Sequence, residues 1–124
     1  RRRLILLNKK YMIELQTFQT PRDCVILHHE FYNYEPSESF EESLSFQYLS
    51  ENLFQCYFPD EHLKIDLGWY GDIIQNKGEF RIQIIINENW EHPFQVIYSK
   101  SAAETIGLIL NILKYYSSQE FEIA

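Results

Sequence analysis

Hydrophobic and polar positions alternate with a period of two along much of this chain, which is the pattern of half-buried β-strands. The clearest case is the segment 63–67, where Leu63, Ile65 and Leu67 alternate with a lysine and an aspartate. Alternation also predicts strands over residues 12–18 and 80–86. Strands are predicted as well over 24–32, which contains an apolar run, over 53–58, and over 94–98, which is short and contains two β-branched residues. Taken together, residues 78–98 are typical of two antiparallel strands joined by a long loop.

Two other segments have helical spacing. Residues 39–50 begin with a Ser-Phe-Glu-Glu capping box and carry apolar residues at helical intervals, although part of this stretch also alternates like a strand. We favour a helix there. Residues 101–116 begin with a second capping box, Ser101 to Glu104, and continue with a broad apolar face: Ile106, Ile109, Leu110, Leu113 and Tyr116. We expect Leu110 to be buried between this helix and the sheet.

These elements predict an α+β fold in a single domain over residues 1–124. Its twisted, mainly antiparallel sheet should have about five or six strands, with a long C-terminal helix across it and a second helix after Pro36. A chain of 124 residues is long enough to bury a core without staples. Cys24 and Cys56 lack the spacing of a metal site, so we expect free buried thiols, with a disulfide as the alternative.

The first eleven residues allow two interpretations. Met12 is the only methionine, and the residues after it resemble a native start. Residues 1–11 are then a non-native or upstream extension. Alternatively, Arg3 to Leu7 forms a first strand that turns at Asn8 to Lys10.

The charge of the chain is divided unevenly between this segment and the rest. Five of the eleven Lys and Arg residues lie in the first ten positions, and from Tyr11 onward 18 acidic residues outnumber 6 basic ones, a formal charge of −12. Such a body repels phosphate backbones and attracts basic partners. We therefore expect no direct nucleic-acid binding and docking onto a basic protein. No apolar run approaches the roughly 20 residues of a membrane span, so no membrane association is predicted.

Carboxylates and two tryptophans near loops are the candidate partner-binding residues. An exposed tryptophan beside carboxylates is typical of a binding hot spot; the alternatives are a solvated face for the acids and core packing for the rings. The set comprises Glu35, Glu38, Glu41, Glu42, Asp60, Glu61, Asp72, Trp69 and Trp90.

A catalytic site is harder to find in the sequence. His28 and His29 are adjacent, so on a strand they point to opposite faces and would not share a metal. His28 and Glu30 could share a face, which makes them the basis of an alternative function as a small enzyme or metabolite-binding domain. No Gly-rich phosphate loop or nucleophile motif is present, and we predict no cofactor and no required metal.

One family resemblance adds to this picture. The segments 65–71 (Ile-Asp-Leu-Gly-Trp-Tyr-Gly), 78–82 (Gly-Glu-Phe-Arg-Ile) and 89–93 (Asn-Trp-Glu-His-Pro), followed by Ser101 at the start of the closing helix, resemble bacterial immunity proteins of polymorphic and contact-dependent growth-inhibition toxin systems. The resemblance covers about half of the chain, residues 63–116, and the N-terminal half departs from it. It therefore identifies no toxin-contacting residues.

The resemblance implies a cytoplasmic α+β protein that binds one cognate toxin domain and blocks it. Many such toxins are nucleases, which are often basic, and the charge of −12 on the body agrees with such a partner. The expected function is thus inhibition by one-to-one binding, without enzymatic activity. In this mechanism carboxylates occupy the place of nucleic-acid phosphates or cover a neighbouring basic surface.

Overall fold

The structure, a computed structural model, describes residues 12–117 and the backbone of 121–122. Both interpretations of residues 1–11 lie outside the described residues. The described strands are β1 (Thr20–Pro21), β2 (Val25–His29), β3 (Phe54–Phe58), β4 (Leu63–Asp72), β5 (Lys77–Ile86), β6 (Gln95–Ser99) and β7 (Phe121–Glu122). Helix α1 (Glu42–Tyr48) lies between β2 and β3, a 3-10 turn (Pro59–Glu61) follows β3, and helix α2 (Ala102–Tyr116) follows β6.

Strands β2 to β6 form one antiparallel sheet in which each strand pairs with the next along the chain. Strands β1 and β7 form a separate antiparallel pair. This arrangement confirms the α+β class, the five-stranded antiparallel sheet, the C-terminal helix and the second helix. The predicted strands 80–86 and 94–98 are confirmed as β5 and β6, joined by the loop 87–94.

One face of the sheet forms the hydrophobic core. The period of two in β3, β4 and β5 places every second side chain on this face, including the fully buried Cys56, Ile65 and Ile82. Helix α2 covers it with Ile109 and Leu113, and the segment between β2 and β3 adds Phe31, whose ring meets that of Phe80 edge-on at 5.8 Å. Burying this apolar surface is the main stabilising contribution to the fold.

The second face of the sheet carries polar and aromatic side chains. One row across it, set by the strand register, contains His28 of β2, Gln55 of β3, Asp66 of β4 and Gln83 of β5. Among them Asp66 is buried. This row places several polar groups of distant sequence position side by side.

Helix α1 is shorter than predicted and starts differently. It begins at Glu42, and its N-cap residue is Glu41, whose side chain makes no capping hydrogen bond, so the predicted capping box at Ser39 is wrong. The hydroxyl of the buried Tyr34 replaces that cap: it accepts from the Glu41 amide at 2.9 Å and lies 2.7 Å from the Ser45 hydroxyl. The phenol of a residue in the preceding loop thus accepts the hydrogen bond of the Glu41 amide, which no neighbouring side chain accepts.

The predicted strand 12–18 is also absent as a regular element. Leu15 makes a single antiparallel bridge to Tyr32, supported by a 2.8 Å hydrogen bond from the Gln16 amide to the Phe31 carbonyl. The segment crosses the chain beyond β2 without forming a ladder.

Helix α2 begins where the sequence predicted it. The Ser101 side chain accepts a 2.9 Å hydrogen bond from the Glu104 amide, as an N-cap does. The buried face is rotated from the predicted one: Ile109, Ile112 and Leu113 are buried, whereas Leu110 is only half-buried. The expectation that Leu110 lies fully between helix and sheet is therefore wrong.

Candidate partner-binding surfaces

The predicted acidic residues lie at two opposite ends of the sheet. Asp72 closes β4 at one end, and the loop with Glu35 and Glu38 packs there, since Asn76 donates to the Pro36 carbonyl at 3.2 Å. The 3-10 turn that carries Asp60 and Glu61 lies at the other end, before the start of β4. Strand β4 has 10 residues, so the two ends are about 30 Å apart. The predicted acids therefore form two separate groups on the molecule.

Glu35 has a structural role at the N-terminus of α2. Its carboxylate accepts from the backbone amides of Ala102 at 2.6 Å and Ala103 at 3.1 Å, the first two residues of α2. Two N-terminal amides that lack intrahelical partners are thereby satisfied, and the negative charge meets the positive end of the helix dipole. Glu38, Glu41 and Glu42 are exposed, with the Glu41 carboxylate accepting from the Ser43 hydroxyl at 2.9 Å.

Asp72 and Trp69 also have local roles. The Asp72 carboxylate accepts from the backbone amide of Gln75 at 3.2 Å within the β4–β5 turn, and its side chain is exposed. Trp69 is only 4% exposed and belongs to the core. Its indole lies over Gly78, where an added Cβ would approach the ring to 2.5 Å. The Gly-Trp-Tyr-Gly segment thus packs the hairpin, and Trp69 presents no ring surface to a partner.

The end of the sheet near the 3-10 turn has exposed aromatic side chains beside acids. Phe94 is 63% exposed, Tyr115 of α2 is 81% exposed and Trp90 is 40% exposed. Phe94 connects two concave regions, one lined by Glu88 and His92 and the other by Tyr115 and Ile112. We call this region the aromatic end; it comprises Trp90, Phe94 and Tyr115 with the exposed carboxylates Asp60, Glu61, Glu88 and Glu91.

Glu88 organises the loop of the aromatic end. Its carboxylate contacts the Lys64 ammonium at 2.6 Å and accepts from the Trp90 indole N–H at 3.3 Å. The Lys64 hydrogen bond, aided by Trp90, lowers the pKa of Glu88 from its ordinary value. Glu88 has a φ of 59° and follows Asn87 with a φ of 54°. A non-glycine residue in this region is uncommon and concentrates at functional loops.

A small cleft opens on the second face of the sheet. Its volume is about 320 Å³, and its lining consists of Leu27, His28, Asn52, Phe54, Gln55 and Asp66. Asp66 is 7% exposed, and its Oδ1 accepts from the Gln55 amide nitrogen at 3.0 Å. Burial raises the pKa of Asp66 above its ordinary value of 3.8, against the opposing effects of Gln55 and His28. We call this the Asp66 cleft.

The two adjacent histidines have separate surroundings. His28 Nε2 donates to the Asn52 carbonyl at 2.9 Å and lies 3.7 Å from the Glu30 carboxylate. His29 instead contacts the Phe54 ring and donates through Nε2 to the Gln16 carbonyl at 2.7 Å. Among the described residues, no three His, Cys, Asp or Glu side chains are grouped as metal ligands would be. The expectation that no metal is required stays a prediction.

Arg81 and the two cysteines are the remaining side chains of the sheet region with distinctive surroundings. The Arg81 guanidinium lies 4.0 Å from the centre of the Tyr70 ring and 5.6 Å from that of Tyr98. Cys24 and Cys56 are free and buried. The neighbouring Cys24 thiol and burial raise the pKa of Cys56, which keeps it protonated and unreactive.

Sequence reasoning missed Asp66, Phe94, Glu88, Glu91 and Tyr115. Phe94 and Tyr115 belong to no motif, and the segment 89–93 does not single out Glu91 as a contact residue. The exposure of a single side chain depends on what packs around it. Asp66 gave only one signal, its polar position within an alternating strand. Its proximity to Gln55 and His28 depends on strand register, which the local sequence does not specify.

Comparisons with models of protein families, with curated proteins and with solved structures find no match for the chain. In the part of the chain that the structure describes, neither helix has the length and apolar composition needed to cross a membrane.

Proposed function

We propose that this chain is an immunity protein that binds a cognate toxin domain one-to-one and neutralises it, and that the aromatic end is its main contact surface. The observation that carries the proposal is the combination of three exposed rings, Trp90, Phe94 and Tyr115, with exposed carboxylates at the same end of the sheet, one of which, Glu88, accepts from the Trp90 indole. Large aromatic side chains with a polar rim are the typical composition of binding hot spots.

The charge of the chain supports a basic partner. From Tyr11 onward the formal charge is −12, so a basic protein is attracted over long distances and a nucleic acid is repelled. A nuclease domain, which must itself hold phosphates, has the complementary surface. The carboxylates of the aromatic end would meet its lysines and arginines, while the rings bury the centre of the contact. The setting we propose is the bacterial cytoplasm.

The alternative function, a small enzyme or metabolite-binding domain using His28 and Glu30, has less support from geometry. His28 Nε2 is held by the Asn52 carbonyl and lies 3.7 Å from Glu30, outside hydrogen-bonding distance.

Growth protection tests the proposal. The toxin domain encoded beside the gene for this chain would be expressed with and without the chain, and growth and one-to-one binding would be measured. We expect the wild-type chain to restore growth. Trp90→Ala and Phe94→Ala should weaken binding about tenfold or more, mainly through faster dissociation.

Phe46→Ala is the matched control, because Phe46 is an exposed aromatic residue on α1, outside the aromatic end. It should leave protection unchanged. A wild-type chain that neither binds the toxin domain nor restores growth would refute the proposed function. Full protection by the Trp90 and Phe94 variants would show that another surface makes the contact.

A further inference from the structure

We propose that the Asp66 cleft is a binding site for a guanidinium or ammonium group, carried either by a protein side chain or by a free small molecule. The cleft has a volume of about 320 Å³, near the lower limit of roughly 300 Å³ for small-ligand pockets. That size suits one long side chain or a small cation. The site is separate from the aromatic end, so it does not depend on the proposed toxin contact.

The unused polar atoms of the cleft include acceptors beside Asp66, together with the N–H donors of the Asn52 side-chain amide. Gln55 directs its amide nitrogen to Asp66 Oδ1, which leaves its carbonyl oxygen as an acceptor. His28 Nε2 donates to the Asn52 carbonyl, so in the neutral ring Nδ1 is an acceptor. Within the described part of the chain, no side chain donates to Asp66 Oδ2. The acceptors around the Asp66 carboxylate favour a ligand with several N–H donors, and the Asn52 amide could contact a polar group of the same ligand.

The charge of the Asp66 carboxylate is compensated only in part: His28 lowers its pKa, but burial outweighs this effect and raises the pKa overall. Among the described residues it makes no ion pair, because Lys64 is bound to Glu88 and Arg81 stacks on Tyr70. A carboxylate that is 7% exposed and bonded to one neutral amide destabilises the folded chain unless a cation approaches it. An asparagine would fill the same space without that cost, so the acid indicates a function in binding.

Other classes of ligand fit the cleft less well. An anion would meet the Asp66 carboxylate and the negative body of the chain. A transition metal would lack a ligand set, since no group of three ligating side chains occurs among the described residues. A guanidinium supplies five N–H donors and a positive charge, and Leu27 lines the cleft as an apolar wall for its methylene stem.

Nuclear magnetic resonance titration of the ¹⁵N-labelled chain tests the site. The probes are agmatine, a Gly-Gly-Arg-Gly-Gly peptide and the same peptide with citrulline, which has nearly the same shape and no charge. We expect saturable shifts of the Gln55 side-chain amide with at least one of the arginine-like probes and none with citrulline. Binding of the peptide indicates a protein side chain as the natural ligand, and binding of agmatine alone indicates a small cation.

Two variants give the matched comparison. Asp66→Asn should weaken probe binding about tenfold or more, because a hydrogen bond to a charged group is replaced by a neutral one. Asp72→Asn removes the same charge from the exposed end of β4, keeps the oxygen that accepts from the Gln75 backbone amide, and should leave binding unchanged. If Asp66→Asn fails to fold, the wild type still provides a readout: a bound cation should lower the pH at which the Asp66 carboxyl titrates.

Three results would overturn the site: no shift with either arginine-like probe, equal binding of the citrulline peptide, or an unchanged Asp66 titration at saturating probe. None of these results bears on toxin binding, which the growth-protection assay measures through Trp90 and Phe94. Failure of the growth assay would likewise leave the cation site intact.

Discussion

Individual carboxylates of this chain have roles that their sequence neighbours do not reveal. Glu35 and Glu38 are three positions apart in one acidic loop, yet only Glu35 reaches the N-terminus of α2, where it accepts from the amides of Ala102 and Ala103. Glu38 is exposed. The sequence indicated an acidic cluster correctly but did not distinguish a structural acid from a surface acid, because the helix that Glu35 caps begins more than sixty residues later.

Glu35→Gln should destabilise the chain by about 1–2 kcal/mol, since it removes a charge from a helix N-terminus and one of two carboxylate acceptors. Glu38→Gln is the control and should change the free energy of unfolding by less than about 0.5 kcal/mol. Urea denaturation of both variants measures the difference. Equal stability of the two would mean that the Glu35 hydrogen bonds contribute nothing in solution.

Asp66 should make stability depend on pH in the opposite direction from Glu88. Its pKa is raised in the folded chain from its ordinary value of 3.8, so between the two values the folded state binds more protons than the unfolded state. Stability must then fall as pH rises through that window. Thermal denaturation should show this slope in the wild type and a weaker slope in Asp66→Asn, and parallel slopes would contradict a raised pKa.

At the scale of elements, α2 shows that sequence periodicity determines where a helix lies in the chain but not which way its buried face is rotated. Its start, its capping serine and its amphipathic character follow from residues within one segment, and the structure has all three. The rotation of its buried face depends on how the helix lies on the sheet, which places Leu113 inside and Leu110 at the border. Helix α1 differs more from its prediction, because its N-terminus uses Tyr34 from outside the segment.

Two alanine substitutions in α2 test this rotation. Leu113→Ala should cost about 2–5 kcal/mol, because it leaves a cavity in the core. Leu110→Ala should cost clearly less, since a half-buried side chain loses fewer contacts. Chemical denaturation of both variants gives the comparison, and a larger loss for Leu110 would restore the face that the sequence predicted.

At the scale of the whole molecule, the sequence predicted most strands from their apolar patterns. It also predicted the mainly antiparallel sheet, because β2 to β6 each pair with their neighbours along the chain. It could not predict which acids lie together, since that depends on the register and on the length of β4. The negative charge of the body is nevertheless a global property, and it should act on association before any contact forms.

Salt should therefore slow the association of the chain with the proposed toxin domain far more than it speeds dissociation. Reversing Asp60, Glu61 and Glu91 to lysine should reduce the association rate more than reversing Glu38, Glu41 and Glu42, because the first set adjoins the exposed rings of the aromatic end. Surface plasmon resonance at low salt and at about 0.5 M measures both effects. A larger effect of the second set would move the contact to the opposite end of the sheet.

The sequential pairing of β2 to β6 also bears on how the chain is made. Each strand finds its partner in the segment synthesised just before it, so the sheet can assemble in the order of translation. Helix α2, which covers the core face, is synthesised after all five of these strands. Until then the apolar side of a nearly complete sheet faces solvent or chaperones. A stop codon between β6 and the end of α2 would leave that side uncovered and aggregation-prone, although every strand of the sheet is present.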